Sequence, residues 1–253
     1  MRGLLRPADD ATVVDTTDLS IRRGSERAFV SCKRKMFKKR LKTGWFWFGC
    51  WLCRFFCIVF FRLHIKGKKN IPDKGAFVLV SNHQTYLDPI FCGIPLKKHL
   101  YFLARDSLFA NRFFGWLLSS VNTIPVRRGK ADLPAMKKVI GKLKEGNGVC
   151  LFPEATRTRD GRIAPFKPGF GLLCRRGNAA VVPVVIDGAF ECWPRHQKLF
   201  STGGKIVVCY GKAVTVEQVK SMSDRELAEV LTDTLRQMQT KSRAEQGKKP
   251  YDY

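Results

Sequence analysis

His83 and Asp88 stand five residues apart in Ser81-Asn82-His83-Gln84-Thr85-Tyr86-Leu87-Asp88-Pro89, directly after an apolar run. On a regular helix that separation turns two side chains about 140° apart, so imidazole and carboxylate can meet only across a turn. If they meet, the carboxylate fixes the ring tautomer and makes the other nitrogen more basic, which is how a histidine is prepared as a general base. A second polar group, Pro153-Glu154-Ala155-Thr156-Arg157-Thr158-Arg159-Asp160-Gly161, follows the apolar residues 149–152. Arginine suits bidentate phosphate binding, and threonine hydroxyls add donors. A third, Ile124-Pro125-Val126-Arg127-Arg128-Gly129, carries paired arginines off another apolar run. Read alone, His83 is equally a loop histidine satisfied by local hydrogen bonds, and each basic group equally a solvated charge cluster. Three in order, each beyond a strand-like run, point instead to one site.

The elements that must position these groups are short apolar runs alternating with helical periodicity. Residues 75–80 (GAFVLV), 100–104, 123–126, 149–152, 180–186 and 205–210 read as strands, mostly buried on both faces. Leu133, Met136, Ile140 and Leu143 fall at helical spacing, and residues 106–120 read as another helix. Ser223 and Glu226 form a capping box ahead of Leu227, Val230, Leu231, Leu235 and Met238, which predicts an amphipathic closing helix. The expected fold is α/β, a mixed, largely parallel sheet flanked by helices. A histidine at the carboxyl end of a strand lies where such sheets place their ligands.

The chain has 253 residues with 46 Lys+Arg against 21 Asp+Glu, a formal charge of +25, so an anionic partner is expected: nucleic acid, anionic lipid or a phosphorylated substrate. With 45% hydrophobic residues and 19 Phe it can bury a sizeable core, which excludes a wholly disordered polycation. Nine Cys without paired spacing read as reduced thiols facing a cytosol. Cys50, Cys53 and Cys57 share a helical face but lack a fourth ligand, so they read as small hydrophobes or a palmitoylation site and no metal is assigned. Residues 1–32 are polar and aperiodic, a leader without a secretory h-region.

Residues 33–61 read as a membrane-association segment. Seven of the ten residues 33–42 are Lys or Arg, and in 45–61 every residue but Gly49 and Arg54 is apolar or Cys. Cations attract anionic head groups, and Trp and Phe prefer the membrane interface. Seventeen residues make roughly 25 Å of helix, short of the roughly 30 Å hydrocarbon core, and Arg62, Lys66, Lys68 and Lys69 make the second flank basic too. An interfacial helical segment, or a re-entrant one, at a cytoplasmic face satisfies both facts. The remaining expected divisions are a catalytic domain over 62–245 and a polar tail over 246–253.

These motifs together resemble the glycerophospholipid acyltransferases typified by 1-acylglycerol-3-phosphate (lysophosphatidic acid) acyltransferase. Asn82-His83 with Asp88 looks like that family's His-x4-Asp box, Ile124 to Arg128 like its block ending in Arg, and Phe152-Pro153-Glu154-Ala155-Thr156-Arg157 like its Phe-Pro-Glu-Gly-Thr-Arg block. Phe166-Lys167-Pro168-Gly169 and Val182-Pro183-Val184 resemble the sections that follow. Ala155 departs from the family's Gly, a substitution that costs about 1 kcal/mol if φ there is positive.

The resemblance implies an O-acyltransferase moving an acyl chain from acyl-CoA or acyl carrier protein to a lysophospholipid hydroxyl, with lysophosphatidic acid the first expectation and another lysolipid the second. It implies His83 as the base, Asp88 as its orienting partner, and Arg128, Glu154, Thr156 and Arg157 as the acceptor-binding set. No cofactor is implied, because a thiolate leaves without metal help once the attacking hydroxyl loses its proton. A nonenzymatic binder of anionic membrane or nucleic acid would explain the charge equally, but not the His, Glu and Arg at strand ends, and there is no RNP-type or zinc-finger spacing. No nucleic-acid partner is therefore expected.

Overall fold

Strands too apolar to leave either face wet must lie inside a sheet covered on both sides. Three strands are of this kind: β2 (Phe77–Ser81) and β5 (Gly148–Leu151) are buried throughout, and β6 (Ala180–Asp187) is buried after its first residue. They form the centre of a seven-stranded sheet, completed by β1 (Arg62–Lys66), β3 (Leu100–Arg105), β4 (Thr123–Val126) and β7 (Lys205–Tyr210) in the order β1-β7-β6-β2-β5-β3-β4. Every neighbouring pair is parallel except β6 with β7. The fold is therefore the mixed, largely parallel α/β sheet that the alternation of patterns predicts. The computed structural model describes residues 44, 48, 49, 51–96, 100–127 and 132–253. The chain divides into two compact units, Met1–Phe46 and Trp47–Tyr253, and the fold described is that of the second. The leader, the basic run over 33–42 and Arg128 lie outside the described residues.

Alternate residues of each central strand divide between two apolar layers. Val78, Val80, Val149, Leu151, Val181 and Val185 join Val139 and Leu143 of α4 (Leu133–Lys144), Leu173 of α5 (Phe170–Arg176), Val219 of α7 (Val216–Ser221), and Leu227, Leu231 and Leu235 of α8 (Asp224–Glu245). Phe77, Leu79, Cys150, Val182, Val184 and Ile186 join Phe91 and Cys92 of α2 (Asp88–Gly93) and Cys57 of α1, a helix over residues 51–60. The capping box on Ser223 and Glu226 opens α8 as its sequence requires.

Two stretches differ from the pattern reading for physical reasons. Residues 106–120 are not one helix: a 3-10 turn over Asp106–Phe109 gives way to α3 (Arg112–Ser120) because the Asn111 side chain accepts from the amides of Phe113 and Phe114, both at 3.0 Å, and so starts a new helix. Strand β1 has no apolar run to announce it, since four of its five residues are exposed at the sheet edge. In α1, Cys57 is buried while Trp51, Phe55 and Ile58 are 61%, 55% and 65% exposed. Among the described residues no helix is long and apolar enough to cross a membrane.

Residues 246–253 fold back onto α8. Arg243 Nε donates to the Lys249 carbonyl at 2.8 Å, its guanidinium lies 4.0 Å from the Tyr251 ring centroid, and it pairs with Asp187 and Glu191. The Tyr253 hydroxyl accepts from the Ile163 amide at 3.3 Å. Gly161, at φ +89°, passes so close to Tyr251 that a Cβ there would lie 2.1 Å from its hydroxyl, so no other residue fits without displacing this segment.

Candidate active site

The parallel strands deliver their carboxyl ends to one side of the sheet, and there the chain leaves β2 through Asn82. Asn82 is buried and its amide spans to β6, donating to the Ile186 carbonyl at 2.9 Å and accepting from the Ile186 amide at 2.8 Å. The next residue, His83, is thus launched from a fixed point. Asp88 opens α2 and is fully buried, and its carboxylate gathers the turn around itself. Oδ2 accepts from the amides of Gln84 (2.5 Å) and Thr85 (2.8 Å), and Oδ1 accepts from the Thr85 hydroxyl at 2.9 Å. Oδ2 also lies 2.7 Å from His83 Nδ1, so the two side chains do meet across a turn. A carboxylate can only accept, which puts the proton of the neutral ring on Nδ1 and leaves Nε2 as the ring's acceptor.

The loop after β5 holds the same histidine by its backbone. The Glu154 carboxylate accepts from the His83 amide at 2.7 Å through Oε1 and from the Ala164 amide at 3.1 Å through Oε2, while the Thr158 amide donates to the His83 carbonyl at 2.8 Å. The Phe152 ring stacks on the imidazole, centroids 4.4 Å apart. Burial pushes the Glu154 carboxyl up to about 7; the two amides pull it down, and the Asp88 and Asp160 carboxylates push it further up. Thr158, itself buried, donates to the Arg162 carbonyl at 2.8 Å and accepts from the Gly161 amide at 3.1 Å, which closes the loop on itself. Ala155 adopts φ +59°, the left-handed conformation that makes its methyl costly.

Thr156 and Arg157 lie at the outer edge of this loop. The Arg157 guanidinium covers the Tyr86 ring at 3.6 Å from its centroid, and Thr156 Oγ1 accepts from Arg195 at 3.3 Å. His83, Asp88, Glu154, Thr156 and Arg157 are thus brought together by two loops. The Arg127 amide and the Ala135 amide both donate to Asp132, at 2.9 and 3.0 Å. Both carboxylate oxygens of Glu154 are engaged by main-chain amides. Asn82, Phe152 and Thr158 fall within the motifs but take their roles from contacts that spacing does not announce, and Arg195 falls in none of them. Among the described residues no group of three or more His, Cys, Asp or Glu side chains could hold a metal.

A family model described as Acyltransferase matches residues 62–187. The chain is 30% identical over 158 residues to a chloroplastic 1-acyl-sn-glycerol-3-phosphate acyltransferase of Arabidopsis thaliana, covering 61% of this chain and 44% of that protein. Against the 1-acyl-sn-glycerol-3-phosphate acyltransferase of Bacillus subtilis it is 27% identical over 174 residues, 68% of this chain and 84% of that one. It spans under half the length of the Arabidopsis and Brassica napus relatives it matches. The crystal structure of PlsC, the 1-acyl-sn-glycerophosphate (LPA) acyltransferase of Thermotoga maritima, superposes with a TM-score of 0.64 at 25% identity over 76% of each chain.

Proposed function

From a chain that belongs to the acyltransferase family, we propose a catalyst that moves an acyl group from acyl-CoA or acyl carrier protein to the free hydroxyl of 1-acyl-sn-glycerol 3-phosphate, giving phosphatidic acid in phospholipid biosynthesis. The observation that carries this reading is the His83–Asp88 pair, 2.7 Å apart, with Nε2 left as acceptor beside a loop bearing Thr156 and Arg157. Nε2 takes the hydroxyl proton as the oxygen attacks the thioester carbonyl. The carbon–sulfur bond of the tetrahedral intermediate then breaks, and the thiolate leaves with the proton returned by the imidazolium. The products are an ester and a free thiol, and the ring ends neutral with its Nδ1 proton still donated to Asp88. Asp88 orients the ring and stabilises the imidazolium.

In the same reading Arg128, Thr156 and Arg157 bind the acceptor's phosphate, and Glu154 serves the acceptor site by holding the His83 and Ala164 backbone. Lipid substrates suit a protein held at the cytoplasmic face of an anionic membrane, which is supported by the exposed Trp51, Phe55 and Ile58 of α1 and the basic run before it. The test is thiol release from acyl-CoA and from acyl carrier protein, with and without 1-acyl-sn-glycerol 3-phosphate, followed by mass spectrometry of the lipid product. Acceptor-dependent release with phosphatidic acid formed supports the reading; release without acceptor, or none with either donor, refutes it.

A further inference from the structure

We infer that Arg195, outside every motif of the sequence, is a further phosphate-binding residue of the acceptor site and helps set its preference for a phosphorylated lysolipid. The inference rests on the acceptor reading above. Three separate loops close into a ring of contacts: Arg157 lies over Tyr86, the Tyr86 ring meets Trp193 with centroids 5.6 Å apart, and Arg195, two residues after Trp193, donates to Thr156, the neighbour of Arg157. Arg195 is held at the tip of a defined turn. The Gln197 amide donates to the Pro194 carbonyl at 3.0 Å, Trp193 Nε1 donates to the Gln197 carbonyl at 3.2 Å, and Trp193 also packs against Phe200.

The Arg195 guanidinium therefore meets the Thr156 hydroxyl, Arg157 is the next residue of the chain, and among the described residues neither arginine pairs with a carboxylate. A phosphate arriving at these loops would find two planar forks free of carboxylates, and its oxygens suit both. The place fits the acceptor's chemistry. In 1-acyl-sn-glycerol 3-phosphate the phosphate sits on the carbon next to the one bearing the free hydroxyl, so its cations must stand close to the base. Tyr86 follows His83 by three residues, and Thr156 follows by two the Glu154 that holds the His83 amide.

The experiment measures kcat and both KM values for full-length wild type, Arg195→Ala and Arg195→Lys, with acyl donor and 1-acyl-sn-glycerol 3-phosphate varied in turn. Arg195→Ala is expected to raise the acceptor KM about 10-fold, with donor KM, kcat and melting temperature little changed, and Lys to fall between because it keeps the charge and loses the fork. An unmoved acceptor KM overturns the inference. So does a loss of kcat accompanied by a lower melting temperature, which would make Arg195 structural, or a rise confined to the donor KM, which would assign the cations to the donor. A wild type inactive with this acceptor overturns the acceptor reading itself, and the inference with it.

Discussion

Replacing Glu154 by glutamine keeps the size of the side chain and removes one of its two acceptors. Glu154 is 5% exposed, and its carboxylate receives the His83 amide at 2.7 Å and the Ala164 amide at 3.1 Å. A carboxamide offers one oxygen and one NH2, so one buried amide is left facing a donor, at a cost of about 1–3 kcal/mol. The same substitution abolishes a titration. Burial holds the folded-state pKa at about 7 against an ordinary 4.5, so the folded protein binds this proton more tightly than the unfolded chain. The group's contribution is fully present below its unfolded pKa and is lost as pH rises through the folded value near 7, amounting to about 2.5 kcal/mol between pH 5 and pH 8. Urea unfolding followed by tryptophan fluorescence at pH 5, 6, 7 and 8 should show the stability difference shifting in favour of Glu154→Gln by about 2.5 kcal/mol from pH 5 to pH 8, because only wild type carries this titration. Turnover at pH 8 should fall about 10- to 100-fold, because the His83 backbone loses an anchor. Parallel stability profiles for the two proteins would refute the assignment of a buried, proton-linked clamp.

Ala155→Gly relieves the left-handed strain at φ +59° and gives back part of the gain in unfolded-chain entropy, for a net of about 0.5–1 kcal/mol, or roughly 2 °C in Tm by calorimetry; a lower Tm would contradict this. Asp88→Asn cannot accept from His83, Gln84 and Thr85 together, and turnover should drop by about 1,000-fold or more; near wild-type turnover would show that the ring needs no carboxylate. Serine at Trp51, Phe55 and Ile58 together should lower partitioning into anionic vesicles about 10-fold or more in sedimentation assays without changing the far-ultraviolet circular dichroism, since these side chains face away from the core. Equal partitioning would remove α1 from the membrane contact.

The strands were legible because each is an uninterrupted apolar run: β4 and β7 fall on the expected residues, and β2, β3, β5 and β6 shift at their ends by one or two. Strand β1 was not legible because an edge strand keeps its side chains in water, and α5, α6 (Ala189–Cys192) and α7 are too short for a period to declare itself. In the site, the spacing of His83 and Asp88 required a turn between them, and the turn exists because four donors converge on one carboxylate. Contacts that depend on the fold were out of reach. Asn82 meets Ile186 across 104 residues, and Arg195 meets Thr156 across 39. Nor could composition say that both oxygens of Glu154 would be spent on main-chain amides, or that the residue after it would take positive φ.

Proton removal by His83 is tested most directly by the rate of phosphatidic acid formation by His83→Ala relative to wild type, at saturating acyl donor and 1-acyl-sn-glycerol 3-phosphate. The ring makes its polar contact with Asp88 and stacks on Phe152 while its backbone is held independently through Glu154 and Thr158, so the variant should fold, and its melting temperature verifies that. Turnover is expected to fall by about 100- to 10,000-fold, the share of general-base catalysis, with vesicle binding unchanged. Folded His83→Ala protein forming phosphatidic acid at near wild-type rate would contradict the mechanism.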